Sequence, residues 1–320
     1  MSYSLSDKLV IGISSRALFD LEHENKIYQS DGTEAYAAYQ RENENQPLKP
    51  GTAFPLIKAL LELNQRITNR RFVEVVVISR NSPDTGLRAF NAIEAHKLDI
   101  TRAAFTGGRS SLVDYLKAFE VDLFLSRDLN DAQDAINAGI AAAQLYDPPE
   151  KITASQQQQI RIAFDGDAVL FSAESEHIFK TKGLPAFLRH EKKNSKRSMT
   201  EGPFAKLLLG LSDIQKHFSQ QDCPVRIAIV TARNSPAHGR VIHTLRDWNV
   251  QVDEAFFLGG VDKDQVLKAF GAQIFFDDQR SHVSKAASHV PSGIVPYEGG
   301  TLTTAVKSDK KRAKKKTVEI

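Results

Sequence analysis

The 320-residue chain has one cysteine, Cys223. No internal disulfide can form, and a reducing, cytoplasmic setting fits. Cys223 lies in "QQDCPVR", directly ahead of an apolar run, where a small packing residue is the ordinary occupant. No apolar stretch reaches the ~18 residues a membrane span needs, and the opening "MSYSLSDKLV" lacks the charged-then-apolar order of a secretory leader. A membrane partner is not expected. A strong charge bias is also missing from the body. The net charge is +3, but the last fifteen residues, "VKSDKKRAKKKTVEI", hold seven Lys/Arg and two Asp/Glu. The other 305 residues therefore sum to −2. The expectation is a near-neutral body, a basic disordered tail over 306–320, and no specific nucleic-acid partner.

What is present reads as globular: 41% hydrophobic and 25% charged residues, in a length that suits two domains. The chain also repeats itself once. "RNSP" occurs at Arg80–Pro83 and Arg233–Pro236, and "LKAF" at Leu116–Phe119 and Leu267–Phe270. A glycine pair occurs at Gly107–Gly108 and Gly259–Gly260. "RALF" from Arg16 precedes "AVLF" from Ala168, and "FPLIKALLELNQ" from Phe54 precedes "FAKLLLGLSDIQ" from Phe204. All five keep their order, with offsets between 150 and 153 residues. The seam falls in the proline- and glutamine-rich "YDPPEKITASQQQQ", Tyr146–Gln159. Short β-branched runs ("KLVIGI", "VEVVVIS", "LFLS"; then "IRIAF", "VRIAIVT", "QIFFDD") alternate with amphipathic patterns such as "HGRVIHTLRDW". The expected architecture is α/β: two duplicated, doubly wound domains with parallel sheets, at 1–152 and 153–305.

Such sheets carry their sites beyond the carboxyl ends of the strands. In the second half those ends read Asp165-Gly166-Asp167, Thr231-Ala232-Arg233 and Asp277-Asp278, with Lys263 ahead of a helix. Aligned on the first half, Asp165 falls on Ile13, Asp167 on Ser15 and Thr231 on Ile78. Asp277 and Asp278 fall on Ser126 and Arg127, and Lys263 on Ser111 or Leu112. The polar groups vanish together while the packing residues persist. One working half and one structural half are therefore expected.

Paired carboxylates at strand ends suit Mg²⁺, a hard cation that takes one or two carboxylates and fills its shell with water and phosphate oxygens. Asp165 can then attack a phosphoryl group in line, and Asp167 can protonate the leaving alkoxide and later activate water. Gly166 lets the loop turn tightly. Thr231 offers a hydrogen bond, and Lys263 a positive charge, to the phosphate.

"DGDAVLFS", "VTAR", Lys263 before a helix and "IFFDD" resemble the four motifs of the haloacid dehalogenase superfamily of phosphatases. More narrowly, "SSRALF", "AYQRENENQPLKPGTAFP", "FDGDAVLFSAESE", "LGGVDKDQVLK" and "IFFDDQRSH" resemble the cytosolic 5′-nucleotidase I family, over about residues 8 to 298. The resemblance implies Mg²⁺-dependent hydrolysis of nucleoside 5′-monophosphates, typically AMP. It implies Asp165 as nucleophile and metal ligand, Asp167 as acid/base with its carbonyl on the metal, Thr231 and Lys263 as phosphate binders, and Asp277 and Asp278 as metal-side acids. Gly166, Ala232 and Arg233 become candidate substrate contacts, although Arg233 and Asn234 recur as Arg80 and Asn81, which suits a structural role. A superfamily cap is expected at about 172–222. On it Phe187, Arg189 and His190, with Glu191 and Lys192, are candidates to meet the nucleoside; Phe171 either stacks on the base or packs. The polar stretch Tyr39–Gly51 could reach a ligand or a neighbouring subunit, so a homo-oligomer is compatible. Two rivals stand beside this reading: a phosphatase or phosphotransferase for another small phosphate ester, and a nucleotide sensor without turnover.

Overall fold

The computed structural model describes residues 3–66, 70–108, 110–149 and 159–318, with side chains to 311. Ten strands form one sheet. The first half contributes β1 (Leu9–Ile13), β4 (Val73–Ser79), β5 (Arg102–Phe105), β6 (Leu123–Ser126) and β7 (Ala141–Leu145). The second contributes β8 (Ile160–Phe164), β9 (Val225–Thr231), β10 (Glu254–Phe257), β11 (Ile274–Asp277) and β12 (Ser292–Ile294). A small antiparallel pair, β2 (Phe19–Asp20) and β3 (Lys49–Pro50), anchors the end of the polar stretch 39–51. The sheet order is β10-β9-β8-β11-β12-β7-β6-β1-β4-β5. Counted within its own half, each set of five runs third, second, first, fourth, fifth. All pairings inside a half are parallel; β7 and β12 meet antiparallel.

The runs that read as strands are strands because both faces are covered. All seven residues of β4, "VEVVVIS", are buried. The core does not stop at the seam: one apolar cluster runs from Ile11 and Val75 through Leu208 and Leu211 to Phe164 and Phe276. Helix Phe54–Leu63 of the first half packs against β8, and helix Ala205–Gln215 of the second packs against β1. Among the described residues no helix is long and apolar enough to cross a membrane.

Two expectations change. Within the stretch 172–222, expected as a cap, Glu174–Lys193 is exposed along much of its length and is here called the lid helix. It is a polar helix broken at Gly183, whose φ of 73° interrupts the helical run. Ala205–Gln215 instead buries Leu207, Leu208, Leu211 and Ile214 and covers the sheet, because its apolar residues recur at helical spacing. The basic end is also not a disordered tail: Leu302–Val318 is helical, with Ala305 and Val306 buried beside Ala168 and Ala173. Ala, Lys and Arg are good helix formers, and this short apolar contact docks the first turns. The seam residues 150–158 lie outside the described residues.

Leu211 is fully buried, whereas Leu184 on the lid helix is 48% exposed. Leu211→Ala is expected to lower the unfolding free energy by about 2–5 kcal/mol, and Leu184→Ala by no more than about 0.5 kcal/mol. Urea titration of both variants checks this; equal losses would return Ala205–Gln215 to the lid.

Candidate active site

The strand β8 ends at Phe164, and the next residue, Asp165, receives its own position from the sheet: its N–H donates to the Phe276 carbonyl at 2.8 Å. That bond puts Asp165 beside the end of β11, where Asp277 and Asp278 stand. One oxygen from each of the three carboxylates lies within 4.8 Å of the others. All three are buried. Lys263, at the start of helix Asp264–Phe270, reaches between them: its Nζ donates to Asp165 Oδ1 at 2.6 Å and to Asp277 Oδ2 at 2.7 Å. Lys263 is itself only 5% exposed. Lys268, on the same helix, is not among the residues in this cluster.

The three acids differ because their partners differ. Asp277 is held below the usual carboxylate range, since against its burial stand the Lys263 charge and a hydrogen bond with His282 (3.0 Å). The Gln279 N–H also donates to its Oδ1, at 2.7 Å. Asp165 shares the same lysine but has burial and the charges of Asp277 and Asp167 against it, and its carboxyl is pushed up to about 7. Asp278 is raised well above the usual range by burial and by the charges of Asp277 and Asp165. Its Oδ2 accepts from Tyr297, while its buried Oδ1 has no hydrogen-bond partner. An orphaned carboxylate oxygen beside two further carboxylates fits a hard divalent cation: it supplies the missing partner and offsets the like charges.

Asp167 faces a different neighbour. Arg233 donates from Nε to its Oδ2 at 2.7 Å and from Nη2 to its Oδ1 at 2.6 Å. The same guanidinium donates to Glu191 of the lid helix. Glu191 is 1% exposed and also accepts from Ser175 (2.8 Å) and Arg240 (3.0 Å). A buried chain of opposite charges thus ties the lid to the loop after β8. Thr231, at the end of β9, is buried, and its Oγ1 accepts from the Arg233 N–H at 3.3 Å.

The remaining candidates lie outside the cluster of Asp165, Asp277, Asp278 and Lys263. Phe171 is fully buried against Trp248, with ring centroids 5.6 Å apart, so it packs and does not stack on a base. Arg233 is 3% exposed and engaged by two carboxylates, Asp167 and Glu191, in line with the structural role that its recurrence as Arg80 suits. Phe187 is buried beneath it, the guanidinium carbon 5.4 Å from the ring centroid. Arg189 and Ala232 are exposed. His190 is half-buried and engages Arg240 at 3.2 Å. Gly166 does not make the sharp turn; Ala168 does, at φ 61°, a left-handed conformation that costs an alanine roughly 1–2 kcal/mol. A Cβ on Gly166 would meet only ordinary contacts, 3.4 Å from the Phe171 ring and 3.5 Å from Thr231 Oγ1. Tyr297 escaped the sequence reading because it belongs to no strand-end motif, and Glu176, which accepts from Gln279 at 3.1 Å, stood in "FDGDAVLFSAESE" without an assigned role.

The first half repeats the same hydrogen bonds one residue out of the sequence alignment. Ser14 N–H donates to Leu125 O (2.9 Å) as Asp165 does to Phe276. Asn81 N–H donates to Ser79 Oγ (3.2 Å) as Arg233 does to Thr231. Asp128 N–H donates to Ser126 Oγ (3.0 Å) as Gln279 does to Asp277. The position opposite Asp165 is therefore Ser14, not Ile13; opposite Asp167 is Arg16, not Ser15; opposite Thr231 is Ser79, not Ile78. Ser126 and Arg127 do hold the positions that match Asp277 and Asp278, and Ser111 precedes the helix that matches the one after Lys263. The extra Ala232 in the second half lets the "RNSP" strings match while the strand ends slip. A hydroxyl therefore persists opposite Thr231.

A buried triad of carboxylates with a lysine at the strand ends of an α/β sheet is the class of site that suits a hard cation and an anionic ligand. The comparisons narrow it. The family model for 5′-nucleotidase matches residues 1–301, and the chain belongs to that family. It is 38% identical over 288 residues to human cytosolic 5′-nucleotidase 1B, covering 87% of this chain and 47% of that protein. The chain thus spans about half the length of this curated relative. A solved histidinol dehydrogenase from Elizabethkingia anophelis aligns over 90% of this chain and 80% of its own, at 7% identity and a TM-score of 0.20, too low to carry an argument.

Because the folded protein binds the Asp165 proton more tightly than the unfolded chain does, this group's contribution to stability falls as pH rises from about 4 through about 7. In EDTA, Asp165→Asn should therefore melt above the wild type at pH 8, with the gap closing toward pH 4. Melting curves across that range check it; a wild type that gains on the variant with rising pH refutes the account.

Proposed function

We propose that the chain is a Mg²⁺-dependent 5′-nucleotidase that hydrolyses nucleoside 5′-monophosphates, AMP foremost, through an aspartyl-phosphate. The observation that carries this reading is the buried meeting of Asp165, Asp277 and Asp278 around Lys263 in a member of the 5′-nucleotidase family. The likeness to a human cytosolic 5′-nucleotidase supports the substrate class and a cytoplasmic setting.

In this reading Asp165, Asp277 and Asp278 hold the cation, which when bound draws charge from the phosphoryl oxygens. Lys263 fixes Asp165 through one oxygen and leaves the other to attack phosphorus in line. Thr231 Oγ1 and the Lys263 ammonium steady the phosphoryl oxygens. Asp167 serves the leaving 5′-oxygen and then the hydrolytic water. Its two oxygens both accept from Arg233, an arrangement a carboxylate satisfies in full and a protonated carboxyl only in part. Asp167 must therefore loosen from Arg233 as substrate arrives, and the Arg233–Glu191 contact couples that step to the lid.

The division of the chain into a duplicated pair of haloacid-dehalogenase-like domains, 1–152 without the acids and 153–305 with them, is supported by the matching strand order and by the recurring hydrogen bonds. The lid on the working half is then Glu174–Lys193.

Purified protein incubated with Mg²⁺ and a panel of nucleoside monophosphates and sugar phosphates is expected to release phosphate fastest from AMP. EDTA should abolish release and added Mg²⁺ restore it. Asp165→Asn should lower kcat by about 10³-fold or more. Undiminished turnover in that variant sinks the mechanism, and faster release from sugar phosphates sinks the substrate assignment.

A further inference from the structure

We infer that the amino-terminal half holds a second binding site, for a nucleoside 5′-phosphate that it binds without a metal and does not hydrolyse. At the carboxyl ends of β1, β4 and β6 lies a cavity of about 500 Å³, within the range of small-ligand sites. Its floor is set by the residues that stand where the other half has its acids: Ser14, Arg16, Ser79, Ser126 and Arg127. The exchange inverts the charge. Asp165, Asp167, Asp277, Asp278 and Lys263 sum to −3, and a phosphate dianion can approach them only with a cation. Their counterparts Ser14, Arg16, Ser126, Arg127 and Ser111 sum to +2. Guanidinium groups take the place of the cation, hydroxyls supply hydrogen bonds, and the nucleophile is gone.

Arg16 and Arg127 are paired within the fold, but with carboxylates that face solvent and that a phosphate can displace. Arg16 and Arg127 both donate to one carboxylate, Glu22, which is 42% exposed, and Arg127 also pairs with the largely exposed Asp147. Arg16 Nε is buried without a hydrogen-bond partner. The acids in the cavity are otherwise engaged: Asp131 accepts from Arg80 at 2.6 Å, and Asp128 caps the helix Leu129–Asn137. Above the cavity runs helix Glu22–Glu42, broken at Gly32 as the lid of the other half is broken at Gly183. It brings Tyr28, 51% exposed, and Tyr36 to the wall, their rings edge to face at 5.8 Å. An aromatic wall above a cationic, hydroxyl-rich floor suits a base joined to a phosphate. The antiparallel β7–β12 junction puts this cavity at the opposite edge of the sheet from Asp165, so the two sites are separate.

Binding of AMP measured by calorimetry in EDTA reports this site, because turnover is silent and the acidic rim lacks a cation. The expected result is one AMP per chain, retained in Asp165→Asn. Arg16→Ala should weaken it by about tenfold or more, and Ala37→Trp, which fills the cavity from the helix, should abolish it. Circular dichroism and melting confirm that each variant folds, and two independent positions keep the test decisive if one does not. Absence of AMP binding in EDTA, binding unchanged in both folded variants, or adenosine binding as tightly as AMP overturns the inference. None of these outcomes depends on whether the other half hydrolyses AMP.

Discussion

Everything at the acidic edge of the sheet depends on Lys263 lying between Asp165 and Asp277. Three carboxylates buried within 4.8 Å of one another repel, and burial itself penalises each charge. The ammonium, pushed by these acids to stay protonated well above its ordinary range, makes the cluster tolerable in the resting fold. It does not make it neutral. The remaining negative charge, together with the orphaned Asp278 Oδ1, is the physical demand that a divalent cation meets. Structure and chemistry are therefore the same problem here: the groups that cost stability without the ion are those that would bind it.

The second constraint is the junction of β7 with β12. Parallel pairing there would have put ten carboxyl ends on one edge. Antiparallel pairing sends five each way and gives the molecule two separated edges, one acidic and one with arginine and serine. The junction also fuses the cores. Helices Phe54–Leu63 and Ala205–Gln215 each reach the first strand of the opposite half, so the edges are chemically distinct but mechanically share one body. The packing residues of the first half therefore serve both halves, since its helix Phe54–Leu63 packs against β8.

Where sequence reading went astray, the causes are specific. The "RNSP" match is real, but an inserted Ala232 lets identical letters align while the strand ends slip by one. Only the hydrogen bonds from Ser14 and Asn81 expose the slip. Gly166 looked like the turn because glycine tolerates positive φ, yet the backbone put the strain on Ala168. Phe171 followed the acidic motif and could either stack on a base or pack; its ring packs in the core against Trp248. The run of lysines at the end looked disordered by charge alone, and the apolar contact at Ala305 and Val306 docks it as a helix.

By itself the sequence determined six of the ten strands, their alternation with helices, the internal repeat and six polar residues of the acidic edge. Local periodicity and motif spacing encode those directly, because they depend on neighbours along the chain. Only the tertiary structure decided that Arg233 belongs to Asp167 and Glu191, that Tyr297 meets Asp278, and that the half without acids keeps a cavity. Those contacts join residues 19 to 66 positions apart, and a cavity is made by what several strand ends leave unfilled. Neither has a signature in consecutive letters; both arise when the sheet order is set.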